Sequence, residues 1–167
     1  MPVRRTLTVR MHIDGAREVL RAFSLLPKEA SDELRDASLR LADTLALRAA
    51  DDFRVAGGAQ GPLLAPTVKA VRDRIPAVQA GGTTRVGSRR APAWGVLFGA
   101  VFGMTRRSGW YASPRYGTSV GRQYRPHQGS DAYTFFPVVE RNAPDIAAAW
   151  ERMADAIVRD FAAVDAS

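Results

Sequence analysis

The sequence predicts an α+β fold: a small antiparallel sheet flanked by a long helix in the N-terminal half and by a C-terminal helix. Three stretches carry that prediction. Residues 6–13 (TLTVRMHI) alternate apolar and polar side chains with period two. Residues 28–55 place apolar side chains at steps of three and four over an unusual length, and residues 137–163 repeat that pattern near the other end. Period two marks a half-buried strand, and period 3.6 marks one face of a helix. Strands grouped apart from helices, rather than alternating with them, indicate α+β. The 167 residues suit one domain, and 46% hydrophobic content is enough for a core.

The elements follow in order. In the first strand Leu7, Val9, Met11 and Ile13 point one way, and Thr8, Arg10 and His12 the other. His12 therefore belongs to the solvated face. Asp14-Gly15 ends the strand, and Asp14 is placed to cap a helix over about 15–26, whose Ala16, Val19, Leu20 and Phe23 share a face. Pro27 stops it and opens a second helix over about 28–55, with Glu29 and Asp32 near its positive end. Leu34, Ala37, Leu41, Leu45, Ala49 and Phe53 form its stripe, and Gly57-Gly58 closes it.

Residues 57–66 read as a loop, and strands are expected within about 67–103. Thr67–Arg74 fits either a strand or a helical turn. Residues 75–87 look like a hairpin turning at Gly81-Gly82, with Pro76 confining its strand to a sheet edge. The two glycines lack the ending of a phosphate loop, so the turn reading is preferred. WGVLFGAVFG (94–103) is dense and apolar; it reads as buried, extended or bent, with glycines permitting close backbone approach. An extended loop or arm over about 104–135 holds four glycines, two prolines and no period. Its length exceeds an ordinary connection, which points to a functional segment. The last stripe, Val138, Val139, Ile146, Ala149, Trp150, Met153, Ile157 and Phe161, gives the C-terminal helix over about 137–163. Pro144 leaves open whether this is one kinked helix or two.

Several classes are excluded by composition. No stretch of about 18 apolar residues exists for a membrane span. The start, MPVRRTLTVRMHID, lacks the apolar run of a signal peptide. The absence of cysteine removes disulfides and cysteine zinc sites. The net charge is +7, and only Lys28 and Lys69 are lysine. A GC-rich coding bias accounts for arginine and alanine richness as such. It does not account for placement. Between Asp73 and Asp131 there are nine arginines and no acid, whereas the other fifteen basic residues face seventeen acidic ones. The whole excess sits in the middle third, which points to a partner surface or a polyanion.

Catalysis finds little support. His127 is the one candidate base in the arm, with Ser130 and Asp131 close in sequence. No G-x-S-x-G elbow is present, and no carboxylates stand among the arginines to hold metal. No catalytic, metal or cofactor residue is assigned, and no small-molecule substrate. The candidate contact residues are Arg106, Arg107, Trp110, Tyr111, Arg115, Tyr116, Arg122, Tyr124 and Arg125, with Phe135, Phe136 and Pro137 anchoring the arm at the last helix. Arginine interleaved with aromatics suits stacking and phosphate contact. The same residue types are preferred at protein interfaces, so composition leaves both open.

The order of short words is familiar. A strand runs into IDGAREVLRAFSLLPKEASDELRDAS and a long helix; then come VKAVRDRIPAVQAGG, VLFGAVFG, an arginine-aromatic loop with YRPH, and FFPVVERNAPDIAAAWERMADAIV. This resembles the small neck or tail-completion proteins of long-tailed bacteriophages, the family of the HK97 gene-ten product, particularly versions from phages of high-GC actinobacteria. The resemblance spans nearly the whole chain. It departs at Val101, where the family often carries an acid before Phe-Gly; a contact made by that acid is not carried over. The resemblance implies a structural virion protein of the head–tail joint, made in the host cytoplasm. It would form a homo-oligomeric ring, six- or twelve-fold, between portal-side connector proteins and the tail tube, without cofactor or catalysis. Tail terminator and head-closure roles are the neighbouring alternatives. Contact with packaged DNA is a further option, and a basic nucleic-acid-binding protein is the alternative of another class.

Overall fold

The computed structural model describes residues 5–104 and 124–165. Strand β1 (Thr6–Arg10) leads into helix α1 (Ala16–Phe23) and then α2 (Lys28–Ala56). A short helix α3 (Gly61–Leu64) sits between two single 3-10 turns and is followed by β2 (Lys69–Val71) and β3 (Ala77–Gly81). A small ribbon, β4 (Arg85–Val86) and β5 (Ala91–Pro92), precedes α4 (Ala93–Phe102), and α5 (Phe136–Asp165) completes the described chain. The fold is α+β, with antiparallel strands and two long helices.

The main sheet has the order β1-β3-β2, with both pairings antiparallel. Thr6 lies opposite Gly81, Arg10 opposite Ala77, and Lys69 opposite Gln79. Opposed residues share a face. Leu7, Val9, Ala70, Val78 and Ala80 therefore line the inner face and pack into the core, where α2 crosses β2 and β3. Thr8, Arg10 and Lys69 lie exposed on the other face. Past the end of β1 the alternation continues: Met11 and Ile13 are buried and His12 is exposed.

Helix α2, at about 1.5 Å per residue, is roughly 44 Å long. It buries Leu34, Ala37, Leu45, Ala49 and Phe53 in one stripe against the sheet and α5. The two long helices are tied at Trp150. Its buried indole N–H lies 3.0 Å from Ser38 Oγ and 2.8 Å from the Arg74 carbonyl, and Ser38 donates to that same carbonyl at 2.9 Å. The tie joins α2, α5 and the turn before β3, and it leaves no polar atom of the group unsatisfied.

Five expectations change. The hairpin at Gly81-Gly82 does not form: β3 pairs with β1 and β2, and β4 pairs with β5. The two glycines (φ 92° and 91°) instead turn the chain out of the sheet. Pro76 does not mark an edge, because β3 is central; Pro76 stands just before the strand, where its missing N–H removes no ladder bond, and its carbonyl accepts from Met11 N–H at 2.9 Å. Residues 94–102 are not extended but helical. Ala93, Leu97, Ala100 and Val101 are buried at spacings of four, three and one, a helical face that apolar residues on every other side conceal. Asp14 does not cap α1; left-handed Gly15 takes that position, and the Asp14 carboxylate stands 3.2 Å from His12 Nε2. Residues 57–66 are not plain loop but carry α3 and its flanking turns.

Two ambiguities are also resolved. Residues 67–74 contain both a turn and β2. Pro144 lies inside α5 without dividing it. The carbonyl that Pro144 leaves unpaired belongs to exposed Glu140, where water can satisfy it.

Candidate functional site

Of the candidate contact residues, Arg106, Arg107, Trp110, Tyr111, Arg115, Tyr116 and Arg122 lie outside the described residues. Tyr124, Arg125, Phe135, Phe136 and Pro137 lie within them. Together with neighbours they form the base of the arginine-rich segment.

This base is built on the C-terminal end of α4. A helix leaves its last carbonyls without intrahelical partners. Here the returning chain supplies them. Tyr133 N–H donates to the Val101 carbonyl at 2.7 Å, and His127 Nδ1 lies 3.1 Å from the Phe102 carbonyl. Met104 N–H donates to the Arg125 carbonyl at 2.8 Å, so the chain's exit from the core and its return are hydrogen-bonded to each other. Gly103 makes this crossing feasible. Its φ is 74°, and a Cβ there would stand 2.4 Å from the Pro126 oxygen and 2.5 Å from the Arg125 oxygen. Only a residue without Cβ allows that approach.

Side chains reinforce the crossing. The Tyr124 ring covers Gly99 in α4, where a Cβ would come within 2.7 Å of it. The Arg125 guanidinium lies 4.4 Å from the centre of the Tyr133 ring, and the Tyr133 hydroxyl donates to the Pro126 carbonyl at 2.7 Å. Cation–π contact of this kind contributes about 0.5–1 kcal/mol at a partly exposed site. His127 thus has a structural partner in the helix end. Among the described residues, no group of three or more His, Asp or Glu side chains stands close enough to hold a metal ion.

The base is also fastened to α2. The Asp52 carboxylate accepts from buried Thr134 Oγ1 at 2.7 Å and from Phe135 N–H at 3.1 Å. Phe135 has a left-handed backbone (φ 70°), a strained state for a bulky residue. Burial holds it there: its ring centre is 5.9 Å from that of Phe53 and 5.5 Å from that of Phe136, which in turn is 5.7 Å from Phe102. Aromatic pairs at such distances add about 0.5–1.5 kcal/mol each beyond their buried area. Pro137 is exposed and lines a shallow cleft of about 490 Å3 with Phe102, Phe136, Asp131 and Glu140.

Sequence reasoning misses Asp52 and the double requirement on Gly103. Asp52 sits on a helix among other acids, and its partners are more than eighty residues away. Nothing local marks it. The glycines at 99 and 103 are visible in the sequence as points of close approach, though their partners are not. Val101, at the position where the resembled family often has an acid, is fully buried. The chain matches no family model, no curated protein and no solved structure.

Proposed function

We propose that this chain is a structural virion protein of the phage head–tail joint, a neck or tail-completion component that works as a ring between portal-side connector proteins and the tail tube. It acts by binding neighbours, without catalysis, cofactor or small-molecule substrate. The observation that carries the reading is the arginine-rich segment: its exit and return are hydrogen-bonded together, its base is locked to α2 through Asp52, and its own sequence offers no acid to neutralise it. A firmly seated base under a cationic, aromatic segment suits an arm that lies on an adjoining subunit. Head-to-tail contacts between identical subunits close into rings. The whole-chain resemblance in the order of short words supports the same reading.

Mass measurement of the chain alone, and mixed with head or tail particles, tests it. A closed ring of six or twelve copies, alone or on particles, is the expected result. A strict monomer that never joins particles overturns it. The charge map also favours a second reading, a nucleic-acid-binding protein. That reading requires duplex affinity that falls steeply with salt, together with no association with particles.

A further inference from the structure

A second cationic place lies beside the start of α4, at one corner of the main sheet. A cleft of about 360 Å3 opens there, lined by Arg5, Thr6, Lys69, Gln79, Thr83 and Thr84 along with the Gly81-Gly82 turn. We propose that this corner binds a phosphate group.

Charge is the first reason. Among the described residues that line it, the cleft has two cations and no carboxylate. Neither Arg5 nor Lys69 forms an ion pair among the described residues. The opposite end of the same sheet is different: Arg10 pairs with Asp73 at 2.7 Å, and Arg72 pairs with Asp36 at 2.7 Å. Arg5 precedes β1 and Lys69 lies in β2, the two strands that flank β3, and both residues line the cleft.

Preorganisation is the second reason. The Arg5 guanidinium carbon lies 5.2 Å from the centre of the Trp94 ring, which gives its planar fork a platform. The turn that forms the cleft wall is fixed by Gly82 N–H donating to the Arg5 carbonyl at 2.8 Å and by Trp94 N–H donating to the Gly82 carbonyl at 3.0 Å. Both glycines are left-handed, so the wall carries backbone where another residue would carry a side chain. Threonine hydroxyls and the Gln79 amide add neutral donors around the two cations. Guanidinium, ammonium and hydroxyl donors lining one cleft, with no acid among its described lining residues, match the several acceptor oxygens of a phosphate. The source is either free phosphate or a phosphodiester of nucleic acid.

The test is an NMR titration of the full chain with inorganic phosphate, with chloride at matched ionic strength as the control. The expected result is saturable shifts at the amides of Gly82, Thr83 and Thr84 and at the Trp94 indole, absent with chloride. The double variant R5S/K69S should weaken the phosphate response at least tenfold. The conservative R5K/K69R should retain most of it, with both variants keeping the wild-type thermal midpoint. A second arm adds a short duplex: competition with phosphate at the same resonances identifies the phosphodiester as a source, and absence of competition identifies free phosphate. Shifts that chloride reproduces, shifts that survive R5S/K69S, or no saturable shift at this corner would each overturn the proposal. None of these outcomes bears on ring formation, so the two readings fail separately.

Discussion

Residues 10–73 and residues 74–130 treat positive charge in opposite ways. In the first stretch four of the eight arginines are matched within the molecule: Arg10 with Asp73, Arg35 with Asp32, Arg54 with Asp51, and Arg72 with Asp36, at 2.5–2.8 Å. Every ion pair among the described residues lies in that stretch. In the second stretch the described arginines, Arg74, Arg85, Arg89, Arg90 and Arg125, enter none. Exposed pairs contribute little to stability, about 0–1 kcal/mol each, so the contrast says little about how the fold is held. What it teaches concerns partners. Cations neutralised internally present a quiet surface, whereas cations left without acids keep a field for something else to meet.

Four variants break or sharpen this contrast. The largest effect is expected at Gly103, which lets the arginine-rich segment leave and return at one point. Gly103→Ala adds a Cβ 2.4 Å from the Pro126 oxygen at a positive φ. Denaturant unfolding should show a loss of about 3 kcal/mol or more. A loss under 1 kcal/mol would mean that the base is not seated as described.

Asp52 comes next, because it is the acid of the balanced region that holds the chain just beyond the acid-free stretch. Asp52→Ala leaves buried Thr134 and the Phe135 N–H without their acceptor. Hydrogen bonds to a charged group contribute about 1.5–3 kcal/mol, so a destabilisation of roughly 2–4 kcal/mol is expected. If the two regions are one cooperative unit, a single unfolding transition should persist. Two separate transitions would break the comparison into two independent pieces.

Removing charge from the arm should behave in the opposite manner. Changing Arg106, Arg107, Arg115, Arg122 and Arg125 together to Ser should alter unfolding by only about 1 kcal/mol, since the segment's own sequence holds no acid to pair with them. Particle association, read by co-sedimentation, should disappear. Unchanged association would remove the arm from the binding surface.

The smallest effect concerns acid sensitivity in the balanced region. The hydrogen bond from Arg72 holds the Asp36 carboxyl below its ordinary value of 3.8, and the nearby Arg72 and Arg40 charges act in the same direction against slight desolvation. A carboxyl lowered on folding stabilises above its unfolded value and loses that contribution as pH falls through the folded one. Arg72→Ala should therefore lower stability slightly at neutral pH and converge with the wild type below about pH 4, so that its stability falls less steeply in acid, as followed by thermal melts across pH. Both side chains are exposed to solvent, so the change should be slight.

How far the sequence reveals this molecule depends on whether a signal is local. Helices α2 and α5 are legible because one-sided stripes repeat over many turns, and β1 because its alternation is clean. Helix α4 is not, since apolar residues surround it and erase the period. The central place of β3 is hidden too: its partner β1 lies about seventy residues away, and Pro76 suggests an edge until its position just outside the strand is seen. At the arm base, Phe135, Phe136 and Pro137 stand out by composition. Asp52 does not, because only the folded chain brings it beneath Thr134.

The central claim is that the unneutralised middle of this chain serves assembly at a head–tail joint. Imaging assembled particles with this chain located by electron cryo-microscopy tests it most directly. The account predicts a closed ring of copies between the portal-side connector and the tail tube. Complete tailed particles that contain no copy of the chain would contradict it.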